Sequence, residues 1–300
     1  MTGPLSVPYG LWNSPLSPYL LSQRLRFDDV LWDSDGKTLV WLEGRSNRRV
    51  LVAHPEGEAR RDLTDEKSVG GGIGYGGGDF TIGRGMLIFA EENGRLYVRS
   101  LGFDTPHPVT PAFGMLASPN LSPDGQWIAF VFSDGQADLI GLVDAKGNEW
   151  PIKLARGADF YMQPAWHPDS SHLAWIDWDH PNMPWDGTRL SIARLSGSQP
   201  SLTEITTIAG GKDTPVAQPR FSPDGRFLSY IVSEGEWDCL DLLDLQSGGR
   251  RRLVEGDHFH LTTPAWVQGI HTYGWSHTSQ RLYYLRNYAA VLDEAIRPGR

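Results

Sequence analysis

Along the whole chain, apolar and polar residues alternate in short runs rich in Val, Ile, Leu, Tyr and Trp. Each run is closed by Gly, Pro, Asn or Asp. Alternation with a period of two is the mark of a strand with one buried face, and the closing residues are those that tight turns require. Windows with helical periodicity are scarce. The pattern predicts an all-β chain.

The runs are organised as a repeat. "LWDSDGKTLVWLEG" from Leu31, "NLSPDGQWIAFVFS" from Asn120, "AWHPDSSHLAWIDW" from Ala165, "RFSPDGRFLSYIVS" from Arg220 and "GWSHTSQRLYYLRN" from Gly274 align with one another. A weaker copy, "DFTIGRGMLIFAEENGRLYVRSL", starts at Asp79. Each is an apolar residue, a Ser-Pro-Asp-Gly-like corner and an alternating strand. Proline presets φ, aspartate caps the corner and glycine supplies a positive φ. The second strand of each hairpin is expected to carry Trp127, Leu173 or Leu228 on its buried side. From corner to corner the spacing is 49 residues (Gly36 to Gly85), then 40 (to Gly125), 45 (to Ser170), 55 (to Gly225) and 54 (to Ser279).

A period of roughly 40 to 50 residues, with four strands in each, is the signature of a β-propeller of antiparallel blades. A β-sandwich also shows regular strands and turns, but has no reason to repeat this corner at blade intervals. Third and fourth strands follow each hairpin, as in "DLIGLVDAKGN" with "EWPIKLARG", or "WDCLDLLDLQSGG" with "RRRLVEGD". The reading is one propeller over residues 1–300 with about six blades, roughly 20–65, 66–110, 111–157, 158–210, 211–258 and 259–300. The last blade lacks its fourth strand, and an N-terminal segment is expected to close it and remove an open edge.

Composition narrows the partners. There are 27 basic and 36 acidic residues, a net charge of −9. That argues against nucleic acid and against an anionic membrane. No apolar run is long enough to span a bilayer, and no secretory leader is recognisable at the start, so a cytoplasmic location is expected. The single cysteine, Cys239, excludes an internal disulfide and is expected to be a small buried residue in a strand.

Several longer blocks carry a resemblance. "PYGLWNSPLSPYLL", "YGGGDF" from Tyr75, "GADFYMQPAWHPDSSHLAWIDWDHPNMPWDGTRL" from Gly157 and "PAWVQGIHTYGW" from Pro264 occur in this order along nearly the whole chain. In them the chain resembles the N-terminal propeller of prolyl oligopeptidase family serine peptidases, in the acylaminoacyl-peptidase and dipeptidyl aminopeptidase branch. The resemblance implies a propeller that covers an α/β-hydrolase domain and restricts entry to short peptides. The family's catalysis belongs to that hydrolase domain and its Gly-x-Ser elbow, and no G-x-S-x-G occurs here. The expectation is therefore a non-catalytic gating domain, its partner an α/β-hydrolase domain. The alternative is a stand-alone propeller that binds a peptide or protein. The chain also departs from its relatives. Ile73 and Gly74 stand where they have His and Glu, and "FGMLASP" stands where they read "RYAD".

The loop "DHPNMPWDG" joins the second and third strands of blade four, on the face opposite the Ser-Pro-Asp-Gly corners. Its prolines stiffen it, and its tryptophans offer large contact area with one donor each. Trp178, Asp179, His180, Asn182, Met183, Trp185 and Asp186 are the candidate docking residues; the bland reading is a plug between blades. Tyr75, among the glycines of "SVGGGIGYGGGDF", is added as a residue that presents its hydroxyl to the central channel. That stretch lacks the strand–helix setting of a phosphate loop, so close backbone packing is its expected role. His258, His260 and His271 invite a zinc hypothesis but are read as exposed loop histidines, and His167 and His172 as surface residues. Asp177, Asp179 and Asp186 sit in too apolar a loop for calcium. No cofactor and no metal are expected.

Overall fold

The computed structural model describes residues 25–287 apart from 65, 103, 198 and 199, together with the backbone of Val291–Ile296. The expected N-terminal closing segment lies outside the described residues. Six antiparallel sheets follow one another, over residues 26–62, 80–108, 115–155, 160–210, 216–254 and 273–296. The first five have four strands and the sixth has three. Within every sheet the strands pair in the order in which they follow along the chain. No helix occurs among the described residues.

The sheets pack in sequence, face against face. Five apolar clusters lie between successive sheets: Leu42 and Leu51 meet Leu87 and Phe89, for example, and Ile128 and Phe130 meet Ile88 and Leu96. Ile140 packs with Leu173 and Trp175, Ile176 with Leu228 and Tyr230, and Leu240 with Leu282 and Tyr284. Each such side chain, taken from water, contributes about 1.5–3 kcal/mol, and this burial between blades is the main favourable term. Leu173 and Leu228 are fully buried as predicted, whereas Trp127 is only half-buried, packed on the rim of its cluster. Cys239 is buried in a strand.

The corners form one face. At Ser122 the Oγ donates to Asp124 Oδ1 (2.5 Å) and accepts from Trp127 N (2.9 Å), and Gly125 takes φ +77°. The same bonds recur at Ser222, Asp224 and Phe227. Each corner also reaches its successor. Arg84 N donates to Ser34 Oγ, Arg84 Nη1 to Pro123 O, Asp124 N to Ser170 Oγ and Asp224 N to Ser279 Oγ, at 2.8–3.2 Å. His167 Nε2 lies 2.8 Å from Gly225 O and completes the series.

The first strands of the first five sheets contact one another in order and, with the segment before the sixth, surround one central cavity of about 310 Å³. Three of these strands carry a bulge at the same place. Ser118, Gln163 and Gln218 take φ values of +48°, +54° and +56°, each directly before a proline and four residues before its corner. A non-glycine residue in this region is uncommon, and a bulge re-aims its side chain. All three polar side chains are thereby buried around the channel.

Candidate functional site

The face opposite the corners is built from unlike pieces. The loop 179–188 leaves the strand His172–Trp178 and returns in Arg189–Ser196. It is held by polar bonds at its base. Arg189 donates to Asp177 Oδ1 (2.6 Å) and Asp179 Oδ2 (2.9 Å), and Asp159 N donates to Asp179 Oδ1 (3.1 Å). The His180 backbone N–H and ring both meet Asp159 Oδ2 at 2.9 Å, and they hold that carboxyl below its usual range. Asn182 Nδ2 donates to Lys212 O (2.5 Å), and Asp186 accepts from Met183 N (2.9 Å) while its own N–H donates to Met183 O. Asp179, His180, Asn182 and Asp186 therefore shape the loop.

The remaining candidates meet at a pocket of about 290 Å³, where Tyr75, Trp178, Met183 and Trp185 are joined by Phe160 and Trp266. Trp185 packs on Trp266 at 4.5 Å between ring centroids, and Tyr75 meets the same indole edge-on at 6.0 Å. Trp178 differs from its neighbours. It is 7% exposed, stacks on Phe160 at 5.1 Å and belongs to the core between sheets four and five. Tyr75 is 69% exposed and lines this pocket, so the expectation that it faces the central channel is corrected: the glycine run carries it outward onto the rim.

Those glycines act by close approach. A Cβ on Gly71 would lie 1.7 Å from Leu116 O, and one on Gly77 would lie 2.4 Å from Gln268 O. Gln268 is the crosslink they accommodate. Its Oε1 accepts from Ser118 Oγ (2.8 Å), its Nε2 donates to Tyr161 O (3.0 Å) and its N–H donates to Gly76 O (2.9 Å). It stands where the aromatic pocket gives way to the channel. Ile73 is buried in the core and Gly74 adopts φ +54°, so neither places a charge on this face.

Sequence reasoning missed Trp266, Gln268 and the bulged Ser118, Gln163 and Gln218. The bulges did leave a signal, a Ser-Pro or Gln-Pro pair four residues ahead of each corner. His258 and His260 stand in an irregular segment, not a strand, and both pack on Trp237. His271 stands in a loop and is exposed, as expected, but the side it exposes lines the channel beside Arg220. His167, Asp169 and His172 bring ligand atoms within 4.8 Å of one another. Yet His167 already spends Nδ1 on Asp169 (2.6 Å) and Nε2 on Gly225 O. Despite partial burial, bonds from Ser171 and His167 hold the Asp169 carboxyl down to about 2. The trio is a corner lock.

Successive antiparallel sheets around a channel, linked corner to corner, define a propeller-like chain. No family model matches it, and no curated protein does. Among solved structures it matches a puromycin-hydrolyzing peptidase of Mycobacterium tuberculosis, with a TM-score of 0.82 and 26% identity over 98% of this chain and 47% of that one. A puromycin hydrolase variant complexed with PGG matches at TM-score 0.83 and 26% identity, over 96% of this chain and 48% of the other. The chain thus spans about half the length of these peptidases. What it matches is the propeller region of prolyl oligopeptidase family enzymes, the family it resembles in sequence. An oligogalacturonate lyase of Vibrio parahaemolyticus, at 10% identity and TM-score 0.61, shares the fold alone.

Proposed function

We propose that this chain is the non-catalytic, substrate-gating propeller of a prolyl oligopeptidase-type serine peptidase. In this reading the six sheets are the blades of one ring, and the aromatic face docks on an α/β-hydrolase domain. The observation that carries it is the match of 98% of this chain to about half of a peptidase at TM-score 0.82. Related peptidases pair such a propeller with a hydrolase domain. The chain itself contains no G-x-S-x-G elbow to supply a nucleophile. The loop face suits contact with a neighbour, since Trp185 and Trp266 leave ring surface open and rest on a base fixed by Arg189. Aromatic anchors on a rigid base are what interfaces favour.

Two measurements test this. A fluorophosphonate probe should leave the purified chain unlabelled, and stoichiometric labelling overturns the non-catalytic reading. Sequencing the coding DNA beyond codon 300 should show an in-frame α/β-hydrolase. A stop codon there favours the second reading, a stand-alone propeller that takes a peptide or protein partner on the same aromatic pocket.

A further inference from the structure

The central cavity holds a polar set that neither the corners nor the loop face uses. Two of its lining side chains carry buried donors with no acceptor among the described residues, Arg220 Nε and Gln163 Nε2. Gln163 cannot mend this by turning its amide over, because its Oε1 already accepts from Gln218 N at 2.6 Å. Arg220 forms no ion pair among the described residues. Its Nη2 faces His271 Nδ1, an acceptor, which requires the imidazole to be neutral there. Burial, with the Arg220 charge beside it, pushes the His271 ring down to about 3 and keeps it so. The other groups around the guanidinium are the Tyr273 ring, 5.7 Å away, and Asp29 across the cavity. Burial pushes the Asp29 carboxyl up to about 6, so this wall gives up its charge readily.

A buried guanidinium Nε and a buried amide nitrogen left without acceptors are costly, and native proteins seldom keep such groups without a use. Both donors want the same thing, an oxygen acceptor, and the cation wants a negative one. Planar recognition of a carboxylate by arginine is the interaction that meets both needs. The space is at the lower bound of small-molecule sites. We propose that the central channel binds a carboxylate through Arg220 and Gln163, with Asp29 as the opposing charge that weakens the grip when ionised. This does not depend on what the loop face docks against.

Isothermal titration of the full chain tests it with three probes: acetate, N-acetylglycylglycine and the same peptide as its C-terminal amide. The carboxylates should bind, and the amide should bind at least roughly tenfold more weakly. Equal affinity for acetate and the peptide identifies a free small acid as the natural source. Tighter peptide binding identifies a peptide C-terminus. Arg220→Gln and Gln163→Glu should each lower affinity, the latter while keeping the acceptor that Gln218 needs. Asn182→Ala on the loop face should leave it unchanged. Asp29→Asn should raise affinity several-fold at pH 7, a gain that misfolding cannot produce. No saturable binding by the wild type, equal binding of acid and amide, or an unchanged affinity in both Arg220→Gln and Gln163→Glu overturns the proposal.

Discussion

The two faces of the molecule solve different problems. On the corner face, Ser122 and Ser222 make the same bonds to Asp124 and Asp224, and each corner hands a hydrogen bond to the next. On the loop face nothing repeats. Glycines 71, 77 and 78, the indoles of Trp185 and Trp266 and the Gln268 crosslink each occur once. A corner has one backbone task, so one local solution serves every sheet. A surface that must fit something other than itself has no reason to be periodic, and binding residues concentrate on such irregular loops.

The comparison is sharpest at Gly71. Its missing side chain leaves room for Leu116 O, and its N–H donates to Asp79 Oδ1 at 2.9 Å. Gly71→Ala should cost more than about 4 kcal/mol or prevent folding, because backbone must move to admit the methyl. Urea denaturation reads this directly. A loss below about 1 kcal/mol would show that the glycine run is slack. Trp178 comes next. It sits in the core at the end of a strand, so Trp178→Ala should cost about 3–5 kcal/mol.

The corner face should be the more forgiving of single changes. Ser222 is fully buried, and Ser222→Ala removes its bonds to Asp224 and Phe227 N. The strand pairing around it survives, so the expected loss is about 1–3 kcal/mol in the same denaturation series. A loss as large as that of Gly71→Ala would mean that the corners, not the glycine run, dominate the fold.

Much of this was legible in the sequence, for identifiable reasons. The corners were readable because Pro, Asp and Gly act within four residues, and the sheets because their hairpins are local. The position of the loop 179–188 followed from the strands on either side. Burial within it did not follow. Trp175, Ile176, Asp177 and Trp178 are all buried, so alternation does not tell core from surface where both faces of a strand are covered. Trp178 and Trp185 look alike in sequence and differ in role because one ends a strand and the other tips a loop. His271 and Arg220 stand 51 residues apart, and only the packing of the sixth sheet against the fifth brings them together.

Between the two faces lies the channel, whose charge responds to pH. Asp29 rises to about 6 through burial, so the folded protein takes up its proton more readily than the unfolded chain. That contribution is complete below the unfolded carboxyl value of 3.8 and is lost as pH rises through about 6. His271, pushed down to about 3 by burial, acts oppositely: stability is lost as pH falls from the usual 6.5 through its folded value. Comparing Asp29→Asn with the wild type isolates the first effect. The variant should be more stable by about 1–2 kcal/mol at pH 7, and the advantage should vanish near pH 4. An advantage independent of pH would assign the effect to packing.

The smallest effect should belong to Trp185. Its ring is half-buried, rests on the more exposed Trp266 and lies outside every core cluster, while the loop beneath it is tied down by Asp186, Asn182 and Arg189. Trp185→Ala removes one aromatic pair, worth about 0.5–1.5 kcal/mol beyond burial, and leaves those ties intact. The isolated chain should therefore lose no more than about 2 kcal/mol, a shift of a few degrees in Tm for a protein of this size. Contact with a partner seated on the aromatic pocket should suffer far more, because there the ring would be fully covered. If Trp185→Ala instead destabilised the chain as much as Trp178→Ala does, the loop would be an inter-blade plug, and the difference between the two faces would be one of scaffold alone.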